Sequence, residues 1–146
     1  MRRRSETFTC IWRSTIIENS QTKIWKFIHL FVSLQLENRI DFMQRPEIVK
    51  QIKEKMMITE PTATTILYGS EARGDARPDS DIDLLILLEG DKRDLRKESE
   101  ISGALYDIEL ESGILISPMI MLRKQWDNRP FKTPFYINVM NEGIRL

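Results

Sequence analysis

Cysteine and histidine are almost absent from this chain of 146 residues: Cys10 and His29 stand alone. A single cysteine excludes an internal disulfide and a multi-cysteine zinc site, and a single histidine excludes a His-rich metal centre. The scarcity of cysteine fits a reducing, cytoplasmic setting. Charge of one sign is also missing, because 22 Lys and Arg balance 22 Asp and Glu at a formal net charge of zero. No general polyanion-binding surface follows from that balance, so nucleic acid is not favoured as a bulk partner. Long hydrophobic runs are lacking too. The most apolar N-terminal stretch, Ile24 to Leu36, contains Lys26 and His29 and falls well short of the ~20 apolar residues a membrane span needs. No small-x-small cleavage site follows Arg2-Arg3-Arg4, which argues against a signal peptide, and no membrane partner is expected. There are no repeats and no low-complexity tract. The length suits one domain with a real core.

Composition shifts near residue 43. Residues 1–42 are rich in Arg, Thr, Ser and large apolar residues, including Trp12 and Trp25, without clean periodicity. Met43 is a candidate start codon, which makes residues 1–42 an upstream extension. The other reading is an N-terminal helix, roughly Thr22 to Phe42. No chemistry is assigned to this segment on either reading. The remaining residues, 43–146, carry readable elements. Pro46 suits the first turn of a helix, in which Ile48, Val49, Ile52 and Met56 follow at helical spacing and Pro61 ends the run. Thr64 to Tyr68 has the β-branched and aromatic content of a strand. Residues 82–88, apolar on both faces, predict a central strand. Helical spacing through Ile101, Leu105 and Ile108 predicts a helix ending at Gly113. Ile114 to Leu122 predicts a third strand, with Pro118 arguing for an edge. Pro134 to Leu146 predicts a short helix with Phe135, Ile137, Val139 and Met140 largely inward.

Chemistry concentrates between these elements. Gly69-Ser70 closes the first strand, and Asp81-x-Asp83 opens the second after ten intervening residues. Glycine lets backbone approach a phosphate closely, and exposed N–H groups at a helix start favour an anion. Ser70 adds a hydroxyl and is placed to cap the short helical turn after it. Arg73 is within reach of the same phosphates, and Gly74 leaves room beside it. Two carboxylates two residues apart on a strand leave one face of the sheet together. They repel each other unless a cation lies between them, and oxygen ligands of this kind favour Mg²⁺ or Mn²⁺. Each part alone is commonplace: a turn, a solvated carboxylate pair, a surface arginine. Their order and spacing between two strands point to nucleotide transfer from a metal-bound triphosphate.

Gly69-Ser70, ten residues, then Asp81-x-Asp83 resembles the signature of the DNA polymerase β-like nucleotidyltransferase superfamily. Gly-Ser-Glu-Ala-Arg-Gly is similar to its minimal nucleotidyltransferase branch. The resemblance covers Met43 to Leu146 and implies an α/β (α+β) nucleotidyltransferase fold, a small mixed sheet flanked by helices, using an NTP, ATP by preference, and two Mg²⁺ ions. Carried over, Asp81 and Asp83 are the metal-binding catalytic carboxylates, Gly69 and Ser70 contact the nucleotide phosphates, and Arg73 assists. The chain departs from the family pattern in one respect. Active members usually place a third carboxylate on the next strand, and Ile114 to Leu122 contains no acid. If residues 104–111 were that strand instead, Asp107 and Glu109 would share a face and either could supply it. Helical spacing favours the helix, with Asp107, Glu109 and Glu111 as solvated charges.

The first functional reading is transfer of a nucleoside monophosphate, AMP by preference, to a hydroxyl acceptor with release of pyrophosphate. Larger superfamily members carry a second domain for the acceptor, so here a partner is expected to present it, for instance as a tyrosine hydroxyl. The resemblance further implies a HEPN-type toxin as that partner, with this chain as antitoxin. The alternative is a catalytically weakened nucleotide- or partner-binding module of the same fold. A third reading treats the motif as coincidence in a generic α/β domain and predicts no Mg²⁺-dependent nucleotide binding.

Overall fold

The computed structural model describes residues 43–146, so the two readings of residues 1–42 lie outside the described residues. Helix α1 (Pro46–Thr59) starts with proline in its first turn and buries Val49, Ile52 and Met56, a single stripe at helical spacing. Strand β1 (Thr64–Tyr68) follows and leads directly into the short helix α2 (Gly69–Arg73). Strand β2 (Ile82–Leu88) is buried throughout except at Asp83. Helix α3 (Leu95–Ser112) is capped by the Asp94 carboxylate, which accepts from the N–H groups of Arg96 and Lys97, and ends at Gly113. Strand β3 (Ile116–Leu122), helix α4 (Arg123–Asp127), helix α5 (Pro134–Glu142) and strand β4 (Ile144–Arg145) complete the described residues.

The four strands form one mixed sheet in the order β3-β2-β1-β4. β1 runs antiparallel to β2 and β4, whereas β2 and β3 are parallel. A parallel pair needs a crossover, which α3 supplies. β2 is central and β3, with Pro118, is an edge, both as its composition predicts.

Alternation along β2 divides the core between the two faces of the sheet. Ile82, Leu84, Ile86 and Leu88 pack with Val49, Ile52 and Met56 of α1 and with Ile101, Leu105 and Ile108 of α3. Leu85 and Leu87 pack with Trp126 of α4 and Val139 of α5, joined by Tyr68, Met121, Phe135 and Tyr136. Each fully buried Leu or Ile contributes ~1.5–3 kcal/mol relative to exposure. Asp83 has the parity of Leu85 and Leu87 and so projects onto the α4/α5 face.

Residues 104–111 are helical, as their spacing predicts, so Asp107 and Glu109 are on no strand. Several other expectations need correction. α3 also begins at Leu95, a turn and a half before its apolar spacing shows, because its first turns are exposed and charged. Glu109 is no solvated charge, since its Oε1 accepts the Ile116 N–H at 2.7 Å and anchors the start of β3. β3 starts at Ile116 rather than Ile114. In α5 only Val139 is buried and Phe135 half-buried, while Ile137 and Met140 are exposed at 44% and 57%. A helix this short lays one stripe on the sheet, and positions two and five beyond Phe135 fall off it. The chain then leaves the helix at Gly143, where an added Cβ would lie 2.3 Å from the Val139 carbonyl oxygen. That tight exit delivers Ile144 to β1 as a strand, which the sequence reading takes as the end of the helix.

Candidate active site

The two halves of the motif meet at one contact. Gly69 has φ +74°, and a Cβ placed on it would come 2.3 Å from Asp83 Oδ2 and 3.2 Å from its Cγ. Only glycine meets both demands: a left-handed backbone, and room for the carboxylate that lies against it. The antiparallel register sets this up, since Tyr68, the residue before the turn, pairs with Asp83.

On the other side of Asp83 the parallel register brings Ser117 of β3. Tyr68, Asp83 and Ser117 therefore form one row across the α4/α5 face of the sheet, at the end where Asp81 stands exposed. The Ser117 hydroxyl donates to Asp81 Oδ2 at 3.1 Å. Burial raises the Asp83 carboxyl pKa above the usual carboxylate range, and the neighbouring Asp81 charge raises it further, with Arg73 opposing. The Tyr68 phenol is also pushed up, by burial first and then by Asp83, so it stays a protonated donor.

Ser70 lies inside α2, whose first residue is Gly69, and makes no capping bond; the cap position is Tyr68. The expected Ser70 cap is therefore absent, because the helix begins two residues earlier than the side chain would require. Ser70 instead lines an open hollow of about 400 Å³, together with Arg73, Asp75, Arg77, Asp79 and Ser80. Asp81 and Asp83 are not among the lining residues. Arg73 is held by two carboxylates, donating from Nε to Asp75 Oδ2 at 3.3 Å and from Nη1 to Glu142 Oε2 at 3.2 Å. The fold thus brings Gly69 and Asp83 into contact and puts Ser70 and Arg73 on one hollow. The sequence alone gives no role to Ser117, Glu71 or Arg45, whose positions depend on pairing across the fold.

The donor set suits a divalent cation. Two carboxylates share a face, and Asp83 is costly as an anion in its burial beside Asp81, a cost that a cation would offset. Among the described residues no group of three or more His, Cys, Asp or Glu is gathered. Phosphate oxygens and water would have to complete the shell, as is usual for Mg²⁺. No helix of the described residues is long and apolar enough to cross a membrane.

A small mixed sheet with helices on both faces, a glycine turn and two carboxylates beside it define a nucleotidyltransferase. The family model for the nucleotidyltransferase domain matches residues 46–144, and the chain belongs to that family. It is also 32% identical over 106 residues to a protein of Methanocaldococcus jannaschii named "Putative protein adenylyltransferase MJ0141", an alignment spanning 71% of this chain and 100% of that protein.

Proposed function

We propose that this protein is a Mg²⁺-dependent adenylyltransferase that moves AMP from ATP onto a hydroxyl of a partner protein, in the cytoplasm. The observation that carries this reading is the Gly69–Asp83 contact, because it sets a backbone turn able to receive phosphate directly against a carboxylate able to hold metal. The name of the Methanocaldococcus jannaschii relative supports adenylyl transfer to protein as the finer reading. In the reaction an acceptor hydroxyl oxygen bonds to the α-phosphorus and gives up its proton to solvent, the bond from that phosphorus to the bridging oxygen breaks, and pyrophosphate leaves.

Asp81 and Asp83 would hold the Mg²⁺ ions, which in such sites activate the attacking oxygen and offset the charge on the leaving group. Gly69 keeps the turn open, Ser70 donates a hydroxyl to the phosphates, and Arg73 contributes positive charge from its position between Asp75 and Glu142. Tyr68 and Ser117 flank Asp83 on the floor of the site. A HEPN-type toxin encoded alongside is the partner this reading favours, with the acceptor presented as a tyrosine hydroxyl.

A second reading, a binding module that occludes its partner without turnover, is favoured by Ser117. The residue in register with Asp83 on the next strand is a serine, where a third carboxylate would take the acceptor proton. One experiment separates the two. The protein is incubated with labelled ATP, Mg²⁺ and the product of its neighbouring gene. Transfer of label is expected, and Asp81→Ala or Asp83→Ala should reduce it at least ~100-fold, since metal stabilisation of several kcal/mol is lost and ~1.4 kcal/mol is tenfold in rate. Partner binding that survives both substitutions, with no label transferred by any form, would establish the binding module instead.

A further inference from the structure

Beneath the phosphate turn lies a charged pair that takes no direct part in the site. Glu71, in the middle of α2 between Ser70 and Arg73, is fully buried, an unusual place for a carboxylate. Its Oε1 accepts the backbone N–H of Arg45 at 2.8 Å and its Oε2 accepts Arg45 Nε at 2.8 Å. The same guanidinium donates from Nη1 to the carbonyl oxygen of Ser80 at 2.7 Å. Ser80 directly precedes Asp81. One residue upstream, Gln44 Nε2 donates to the Gly74 carbonyl at 3.2 Å, and Met43 is buried in the core.

We propose that Arg45 is a positioning residue: its guanidinium, clamped on Glu71 and on the Ser80 carbonyl, fixes the distance between the phosphate turn and Asp81. The proposal rests on the reading of the site given above and extends it to a residue outside the motif. Neither Arg45 nor Glu71 reaches the reacting atoms. Their effect passes through the loop of residues 74–81, whose backbone bonds (Asp75 N–H to Ser70 O at 3.0 Å, Ser80 N–H to Arg77 O at 3.0 Å) are short-range, and which is otherwise held at its two ends by Gln44 on Gly74 and Ser117 on Asp81.

Two features favour a geometric role over a merely stabilising one. The fork of an arginine can bridge a carboxylate and a carbonyl at once, which lysine, a point charge on a flexible stem, cannot. The arrangement is also poor as a source of stability, because Arg45 Nη2 is buried with no hydrogen-bond partner among the described residues. Buried ion pairs in general contribute little net stability compared with apolar residues of similar volume. The pair has an electrostatic consequence as well. An unpaired Glu71 would place a negative charge under the turn that is to receive phosphate, and Arg45 neutralises it.

The test uses the full chain as wild type, as Arg45→Lys, and as the double variant Arg45→Met with Glu71→Met, which removes both buried charges together and so should still fold. Amide hydrogen exchange, Mn²⁺–ATP binding by calorimetry and label transfer are measured on each. In the double variant the Asp75 and Ser80 amides are expected to exchange at least tenfold faster, with Leu84 to Leu87 of β2 as protected as in the wild type. Mn²⁺–ATP should bind at least tenfold more weakly, and kcat should fall more than KM rises. Arg45→Lys should show the same pattern at smaller size. Wild-type exchange of the loop, or Mn²⁺–ATP binding within twofold of wild type in the double variant, would overturn the clamp. A wild type that binds Mn²⁺–ATP and transfers nothing overturns the proposed reaction instead, and the exchange and binding results then decide the clamp by themselves. A wild type that neither binds nor transfers overturns both.

Discussion

Substituting Gly69 by alanine adds one methyl group at the point where the two halves of the site touch, and its cost has two separable parts. The backbone at φ +74° is a left-handed conformation that costs a residue with a Cβ ~1–2 kcal/mol. The new methyl would also lie 2.3 Å from Asp83 Oδ2 and 3.2 Å from Cγ, so the carboxylate must rotate, at ~0.5–1.5 kcal/mol for an off-rotamer displacement. Gly69→Ala should therefore destabilise the protein by ~1.5–3.5 kcal/mol. Once Asp83 is also alanine, the nearest remaining atom is the Cβ of residue 83 at 3.5 Å, an ordinary contact. The same substitution should then cost only the backbone part, ~1–2 kcal/mol. Urea denaturation of the four proteins in the cycle measures the coupling, expected near ~1 kcal/mol, provided the slope with denaturant stays constant. Mn²⁺ binding to Gly69→Ala should be lost even where the protein is still fully folded, because the displaced group is the proposed ligand. Equal costs in the two backgrounds, or a cost below ~0.5 kcal/mol in the wild type, a typical value for an unremarkable surface change, would refute the contact on which the site is built.

Ser117→Asp places an acid in register with Asp83, in the row that faces the site. It should tighten Mn²⁺ binding and raise label transfer at least ~10-fold, since a general base typically contributes ~10²–10⁴-fold; tighter metal binding with unchanged transfer would show that proton removal is not what limits the enzyme. A pH effect is expected at the junction of α1 and α3. There Glu60 accepts from Lys97 at 2.6 Å and from Thr62, and these bonds, Lys97's first, hold its carboxyl below its ordinary value of 4.5. A depressed carboxyl contributes stability above that value and loses it as the pH falls through the folded-state pKa. Glu60→Gln should therefore melt below the wild type at pH 7, with the gap closing as the pH drops under 4.5. A gap that stays constant from neutral to acid pH would contradict the assignment.

How much of the site could be read in advance follows from the range of the interactions involved. The helix at Pro46, the strand at Thr64 and the central strand at Ile82 were all legible, because proline, β-branching and continuous apolar character act within a few residues. Asp81 and Asp83 were legible as a same-face pair for the same reason. The strand at Ile144 was not, since two residues carry no periodicity and their state depends on a turn at Gly143 and an open edge on β1. The exposure of Ile137 and Met140 was equally hidden, because which stripe of a short helix is buried depends on how it is laid on the sheet.

Sequence by itself determined that the chain has a small α/β nucleotidyltransferase domain, and singled out Gly69, Ser70, Asp81 and Asp83 as the residues around which its chemistry is proposed to be organised. The first rests on the resemblance carried by the Gly-Ser and Asp-x-Asp motifs, the second on spacing along one strand and one turn, which the backbone geometry converts directly into direction. Tertiary structure alone decided that Asp83 lies against Gly69, that Ser117 sits beside it, and that Glu71 is buried under the turn in the grip of Arg45. Each of these is a pairing across strand register or between segments far apart in the chain. A parallel register reached through a crossover helix is fixed by the packing of that helix on the core, so no local pattern near Ser117 or Arg45 could announce it.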